Sequence, residues 1–209
     1  MKTGTIACFF ALAALPAMAQ FESQLFTADI GGGFSTPVYN AGRRLDPGWN
    51  LLLGAGIRPV PYLGVKVDFL YNQMDVNRGT LNALNFPNGE ARIFSFTLDP
   101  IIHINPRGPV DFYLVGGGGV YHRTIEFSQP SVSTFTAFDP FFGYFYPVAV
   151  PSSQVLASQT TVKPGVNGGA GFQFGFHHTI KFFAEARYHD MFTNGRDTTW
   201  VPVTFGFRW

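Results

Sequence analysis

The sequence predicts an all-β fold: an eight-stranded antiparallel transmembrane β-barrel with up-and-down meander topology. Three observations predict it. Only 13% of the 209 residues are charged while 17% are aromatic, whereas a soluble domain carries roughly 25% charge. Apolar and polar residues alternate with period two in eight segments, the period of a strand and not of a helix. The connections between those segments alternate short and long, as in outer-membrane barrels. Beyond the N-terminus no apolar run approaches 18 residues, which excludes helical spans.

The first element is processed away in this reading. Met1-Lys2 precedes the apolar run IACFFALAALP and then Ala17-Met18-Ala19. A positive start, an apolar core and an A-x-A site are the parts of a secretory signal peptide. Residues 1–19 are assigned to it, leaving 20–209 as the barrel domain. The run is too short for a membrane helix, which needs about 20 residues. The single cysteine, Cys8, lies inside this segment, so the remaining chain has no disulfide framework, thiol nucleophile or cysteine metal site. Setting Lys2 apart from the 14 basic residues leaves 13, against 13 acidic ones. That neutral balance argues against nucleic acid, whose phosphates call for a basic excess.

The strands follow in order. FTADIGGGF opens the series with Asp29 on its polar face. WNLLLGAGIR sets Trp49, Leu51, Leu53, Ala55 and Ile57 against Asn50, Gly54, Gly56 and Arg58. LGVKVDFLYNQ places Leu63, Val65, Val67, Phe69 and Tyr71 opposite Lys66, Asp68 and Asn72. RIFSFTLD sets Phe94, Phe96 and Leu98 against Ser95, Thr97 and Asp99. DFYLVGGGGVYHR and VNGGAGFQFGF are glycine-rich versions, with Asp111, Asn167 and Gln173 on the polar side. KFFAEARYH carries Phe182, Ala184, Ala186 and Tyr188 against Lys181, Glu185, Arg187 and His189. WVPVTFGFRW is the clearest, with Val201, Val203, Phe205, Phe207 and Trp209 on one face and Pro202, Thr204, Gly206 and Arg208 on the other. In a membrane barrel the apolar face turns to lipid and the polar face to the lumen.

Arg58 to Pro61, Pro106 to Pro109 and His177 to Thr179 read as tight turns. Longer connections fall around 36–48, 77–91 and 128–160, with a shorter one near 194–198. Short turns belong on the periplasmic side, so eight strands put both termini in the periplasm. A soluble sandwich or lipocalin-like barrel is the competing architecture, and the charged faces and the long-short rhythm oppose it.

The ending TFGFRW, preceded by FFAEARYHDMFTNGRDTTWVP, resembles small outer-membrane barrels of the OmpA-like and opacity-protein-like kind, as does FYLVGGGGVY. The resemblance spans about residues 24–209. It implies residence in the outer membrane of a diderm bacterium, in contact with lipid and lipopolysaccharide. It also implies that Phe205, Phe207 and Trp209 form the signal read by the barrel-assembly machinery. The peptidoglycan-binding domain of full-length OmpA-type proteins has no counterpart in the sequence.

The polar face supplies the candidate site. Lys66, Asp68, Asp99, Asp111, Arg123, Glu185, Arg187 and Arg208 all point to the lumen by parity. An eight-stranded barrel is just wide enough for side chains to fill it, and buried charges must be paired. A plugged, salt-bridged lumen is the expectation. Enzyme chemistry finds little support. Barrel lipid A deacylases use a His-x-Ser pair with a Glu, and His122, Thr124 and Glu126 share a face, but Thr stands in the nucleophile position and that face is the lipid side. His177-His178 point to opposite sides of an extended chain and read as a turn, not a metal site. Gly116 to Gly119 lack the Lys-Ser/Thr and helix of a phosphate loop. No catalysis, metal or cofactor is expected.

FTAFDPFFGYFYPVAV, Phe135 to Val150, fits none of this. Phe135, Phe138, Phe141, Phe142, Tyr144, Phe145 and Tyr146 accompany one charge, Asp139. A ninth and tenth membrane strand would hold Pro130 and show no polar face. The stretch is therefore expected in the third outside loop, there or in an extension of strands five and six beyond the bilayer. Its expected part is that of a packed lid or an element of the lipid interface. The expected function is a structural or surface-interaction role with this loop as contact surface. The alternatives are passage or binding of small apolar molecules and, more remotely, acyl hydrolysis on lipid A.

Overall fold

The computed structural model describes residues 25–175, 180–193, 195 and 197–209. The expected signal peptide and the His177-His178 turn lie outside the described residues. The chain forms β1 (Phe26–Val38), a helical turn α1 (Tyr39–Gly42), β2 (Gly48–Val60), β3 (Leu63–Asp75), a short helix α2 (Arg78–Leu84), β4 (Asn88–His103), β5 (Val110–Asp139), β6 (Tyr144–Gly175), β7 (Lys181–Met191) and β8 (Thr198–Arg208). Every strand pairs antiparallel with its neighbours in the sequence, and β1 closes the ring on β8 from Asp29↔Arg208 to Val38↔Thr199. Closure leaves no strand edge facing lipid, which is the condition for a sheet to cross a bilayer. Thirteen residues of β1, at about 3.3 Å each and tilted near 40°, cross roughly 33 Å.

The alternation read from the sequence becomes inside and outside. Lys66, Asp68 and Asn72 of β3 are buried, while Val65 and Phe69 at alternate positions are exposed. Two aromatic belts mark the ends of the outer apolar band. Trp49, Tyr71 and Phe94 form one, with ring centroids 5.1 and 4.8 Å apart. Phe174, Phe182 and Phe207 form the other, at 5.2 and 6.0 Å. Such girdles sit at the two membrane interfaces.

The glycine-rich strands are a consequence of what fills the lumen. Tyr113 is paired with Gly171, and its ring occupies the place a side chain there would need: a Cβ on Gly171 would stand 2.6 Å from ring atoms. Phe183 lies over its partner Gly206 in the same way, at 2.8 Å. Aromatic side chains thus fold flat across the sheet's inner surface where glycine leaves room.

Of the two forms expected for the third connection, 128–160, the structure shows the extension of strands five and six and not an irregular loop. β5 and β6 run on as a two-stranded ribbon from Ser128↔Val155 to Asp139↔Tyr144, and only 140–143 turn. A bulge at Phe127/Ser128 marks where the ribbon leaves the barrel. Pro130 does not break it, for a reason of geometry. In a membrane barrel each strand has two neighbours and must bond on both sides; in a ribbon it has one, so every second N–H points to open solvent. Pro130, Pro151 and Pro147 pair with Ser153, Val132 and Thr136. These pairs lie on one face of the ribbon and therefore share one class of ladder position, the class whose N–H groups are not used.

Candidate functional site

The lumen is crossed by one connected set of buried polar groups. Arg187 donates to Asp68 at 2.6 Å and Asp99 at 2.8 Å and is paired with Glu185 on its own strand. Lys66 stands 3.2 Å from Asp68, 3.7 Å from Glu185 and 3.1 Å from Asp29. Asp29 also takes two bonds from Arg208, at 2.6 and 2.7 Å. Arg208 continues to Gln173 at 2.8 Å, Gln173 to Asp111 at 2.8 Å, and Asp111 to His103 at 2.6 Å. The Arg208 guanidinium also lies 4.9 Å from the Tyr113 ring and 5.1 Å from that of Phe183. The carboxylates of this set are held from more than one strand, largely by charge-assisted bonds, which tie the strands together across the barrel interior.

The structure brings together seven of the eight charges singled out by parity: Lys66, Asp68, Asp99, Asp111, Glu185, Arg187 and Arg208. Arg123 is the exception. It lies near the other end of β5 and donates to the Thr198 hydroxyl, because parity assigns a face but not a height along the barrel axis. Asp29 belongs to the set although only its face, not its role, is legible in the sequence. His103 and Gln173 complete the run; Gln173 is visible on the polar face, while His103 lies past the segment recognised as strand.

Above the charges the lumen changes character. Ser35 bonds Asn72 at 2.6 Å and Thr204 bonds Asn50 at 3.0 Å. Next, Tyr121 meets His189 at 3.1 Å, and Trp200 stacks on His189 with centroids 5.2 Å apart. The end is closed by an apolar cluster in which Leu45, Met74, Val76, Leu81, Ile93 and Met191 pack on Trp200 and Tyr121. Three of these residues, Leu45, Val76 and Leu81, come from the connections. Asn77 caps α2 by accepting from the Thr80 N–H at 2.8 Å, and Leu45 bridges to Val76, so the first and second long loops fold together over the barrel.

The mouth is thus covered by those two loops, not by the aromatic stretch expected as a lid. Phe141 is 88% exposed and Phe142 and Phe145 are each 70% exposed. Phe138 packs on Phe145 at 5.0 Å across the ribbon, and Phe141 meets Phe142 edge-on at 5.1 Å. Phe135, Tyr144 and Tyr146 are exposed beside them. Asp139 shapes the turn: its carboxylate accepts the N–H of Phe141 at 2.8 Å and of Phe142 at 3.2 Å.

Below the ribbon, on the outer wall, Gln73 bonds Glu90 at 3.1 Å, and Arg92 is paired with Glu90 and, at 3.4 Å, Glu126. His122, Thr124 and Glu126 lie on this outer face. Thr124 shares its hydroxyl with that of Thr160 at 3.3 Å, and His122 stands beside Phe94. Among the described residues no three His, Cys, Asp or Glu side chains converge on a metal position. At the seam, Trp209 exchanges two backbone bonds with Ala28, at 2.9 and 3.2 Å, with Phe205 and Phe207 exposed on the lipid face of β8.

Comparison with known proteins agrees with this architecture. A family model described as an outer membrane protein β-barrel domain matches residues 5–208. A search of curated proteins finds no match. Among solved structures, a major outer membrane protein of Thermus thermophilus superposes with a TM-score of 0.56 at 13% identity, over 88% of this chain and 97% of that one. Neisserial surface protein A gives 0.52 at 16% identity, over 88% and 95%. Ail, the attachment invasion locus protein of Yersinia pestis, solved with the heparin analogue sucrose octasulfate, gives 0.51 at 20% identity, over 88% and 99%. At these identities the likeness is one of fold. The chain belongs to the outer membrane protein β-barrel domain family, and its setting is the outer membrane of a Gram-negative bacterium.

Proposed function

We propose that the protein is a non-conducting barrel that anchors and displays the β5–β6 ribbon, so that its role is structural and interactive, without catalysis or a cofactor. The observation that carries this reading is the filled lumen: a buried ion-pair set from Asp99 to His103 is followed by the apolar cluster around Trp200. An ion crossing it would have to break several charge-assisted bonds and then enter an apolar layer, and both steps oppose conduction. The ribbon leaves the barrel on the side of the longer connections, which is the extracellular side in such barrels; both chain ends then lie in the periplasm. Phe205, Phe207 and Trp209 serve as the assembly signal, and the outer apolar band meets lipid and lipopolysaccharide.

Passage of small apolar molecules would need a route past the Leu45–Leu81–Trp200 cluster. Acyl hydrolysis would need a nucleophile, and the Thr124 hydroxyl is bonded to another hydroxyl with no base in the pair. The test is purified barrel in planar lipid bilayers. The expected record is a flat baseline across applied voltage; stable, reproducible single-channel steps would overturn the closed-lumen reading.

A further inference from the structure

The hairpin tip is ordered along its length in a way that a water-exposed loop does not require. Phe141 and Phe142 form the apex, Tyr144, Phe145 and Tyr146 come next with Phe138 and Phe135 on the facing strand, and Ser131, Ser133, Ser152 and Gln154 share the stalk with Val132, Val150 and Val155. Between Ser128 and Ala157 the one charged residue is Asp139, whose Oδ1 accepts the Phe141 and Phe142 N–H groups and so holds the charge at the base of the turn, behind the two leading rings. The apex is therefore led by two exposed, uncharged rings.

We propose that this tip inserts into the interface of a neutral phospholipid bilayer lying opposite the barrel. The inference rests on reading the ribbon as the outward-facing working part. The rings are concentrated in the last few residue pairs before the turn, with tyrosines behind the leading phenylalanines and the serines and Gln154 only nearer the barrel, and aromatic side chains with a polar tip favour the bilayer interface. Apex to Tyr146 spans roughly 10 Å at a strand's rise, the depth to which apolar faces enter the headgroup boundary, about 5–10 Å. A protein partner would favour a single flat or concave apolar face, whereas these rings splay around a convex turn, with Phe141 and Phe142 at 76° to each other. The 12 residues from Ser128 to Asp139, at about 3.3 Å each, give the ribbon a length of roughly 40 Å past the bulge, enough to carry the tip clear of the barrel's own lipid belt. Gly143, at φ +71°, and Pro140 make the narrow turn that lets two rings lead.

The experiment uses the full barrel in nanodiscs mixed with phosphatidylcholine liposomes, followed by flotation. Wild-type nanodiscs are expected to float with the liposomes equally at low salt and at about 0.5 M salt, where charge contacts are screened within a few ångströms. Phe141→Ser with Phe142→Ser is expected to reduce association about a hundredfold, near tenfold for each ring withdrawn from lipid. Heat-modifiable gel migration checks that the variant barrel is folded. The variant Phe142→Trp keeps an aromatic apex; its added emission is expected to shift blue on liposome binding and to be quenched by bromine on the acyl chains. No flotation of the wild type, flotation that needs anionic lipid and vanishes in salt, flotation indifferent to the double serine variant, or an unshifted Phe142→Trp emission would each overturn the proposal. None of these results bears on bilayer conductance, so failure here and failure of the closed-barrel reading are separable.

Discussion

Replacing Arg187 by methionine tests the plug directly. Arg187 serves three carboxylates, but they do not depend on it equally. Asp68 keeps Lys66 at 3.2 Å, and Glu185 keeps the same ammonium at 3.7 Å. Asp99 keeps only neutral partners, the Thr97 hydroxyl at 2.7 Å and the Asn167 amide at 2.8 Å. The substitution therefore strands one fully buried carboxylate and weakens two others. Removing one member of a buried pair costs about 3–5 kcal/mol, and that range, not a threefold multiple, is expected here. With a urea slope of about 2 kcal/mol per molar, the unfolding midpoint should fall by roughly 2 M. Tryptophan emission of barrels in lipid vesicles reads it, since Trp200 is buried beside the site and Trp49 and Trp209 face lipid. Adding Asp99→Asn to the Arg187→Met chain removes the stranded charge and should recover at least about half of the loss, on the non-additivity expected of contacting groups. A midpoint shift below about 0.5 M for the single variant, or strictly additive losses in the double, would refute the account of a mutually dependent charge set.

Three further outcomes follow from packing. Trp200→Ala empties the centre of the apolar cluster and should cost about 3–5 kcal/mol, read by the same urea titration. Gly171→Val pushes a branched side chain into the Tyr113 ring, and the resulting overpacking should cost about 1–3 kcal/mol or prevent folding, read as loss of heat-modifiable migration. Deletion of Phe135 to Val150 shortens the ribbon without touching the barrel wall and should leave heat-modifiable migration intact; loss of folding would mean that those residues support the barrel.

The parts of the molecule that are legible in the sequence are those governed by neighbours along the chain. Lys66, Asp68, Glu185 and Arg187 can be assigned to the lumen because two residues on a strand share a face whatever the strand pairs with. Arg123 satisfies the same rule and still falls outside the ion-pair set, since height along the axis depends on where each strand starts relative to the others. The ribbon is only half legible, as one of two forms for the third connection, for a related reason. Pro130 argues against a strand bonded on both sides, and only the absence of a second neighbour, a fact of the assembled sheet, makes it acceptable there. The place expected for the aromatic stretch is taken by Leu45, Val76 and Leu81, apolar residues in or beside connections whose meeting is a long-range event.

Local pattern is enough to make this chain a barrel, to say which side chains face lipid, and to set an uncharged aromatic stretch apart from the rest. Period-two alternation and turn residues are read over a few neighbours, and they survive any choice of register. Folding in three dimensions was needed to bring Asp29 to Arg208, 179 residues away, to cap the mouth with two loops, and to put Phe141 at the head of a free ribbon. Those outcomes depend on ring closure and stagger, which add up over all eight strands and are set by no single one of them.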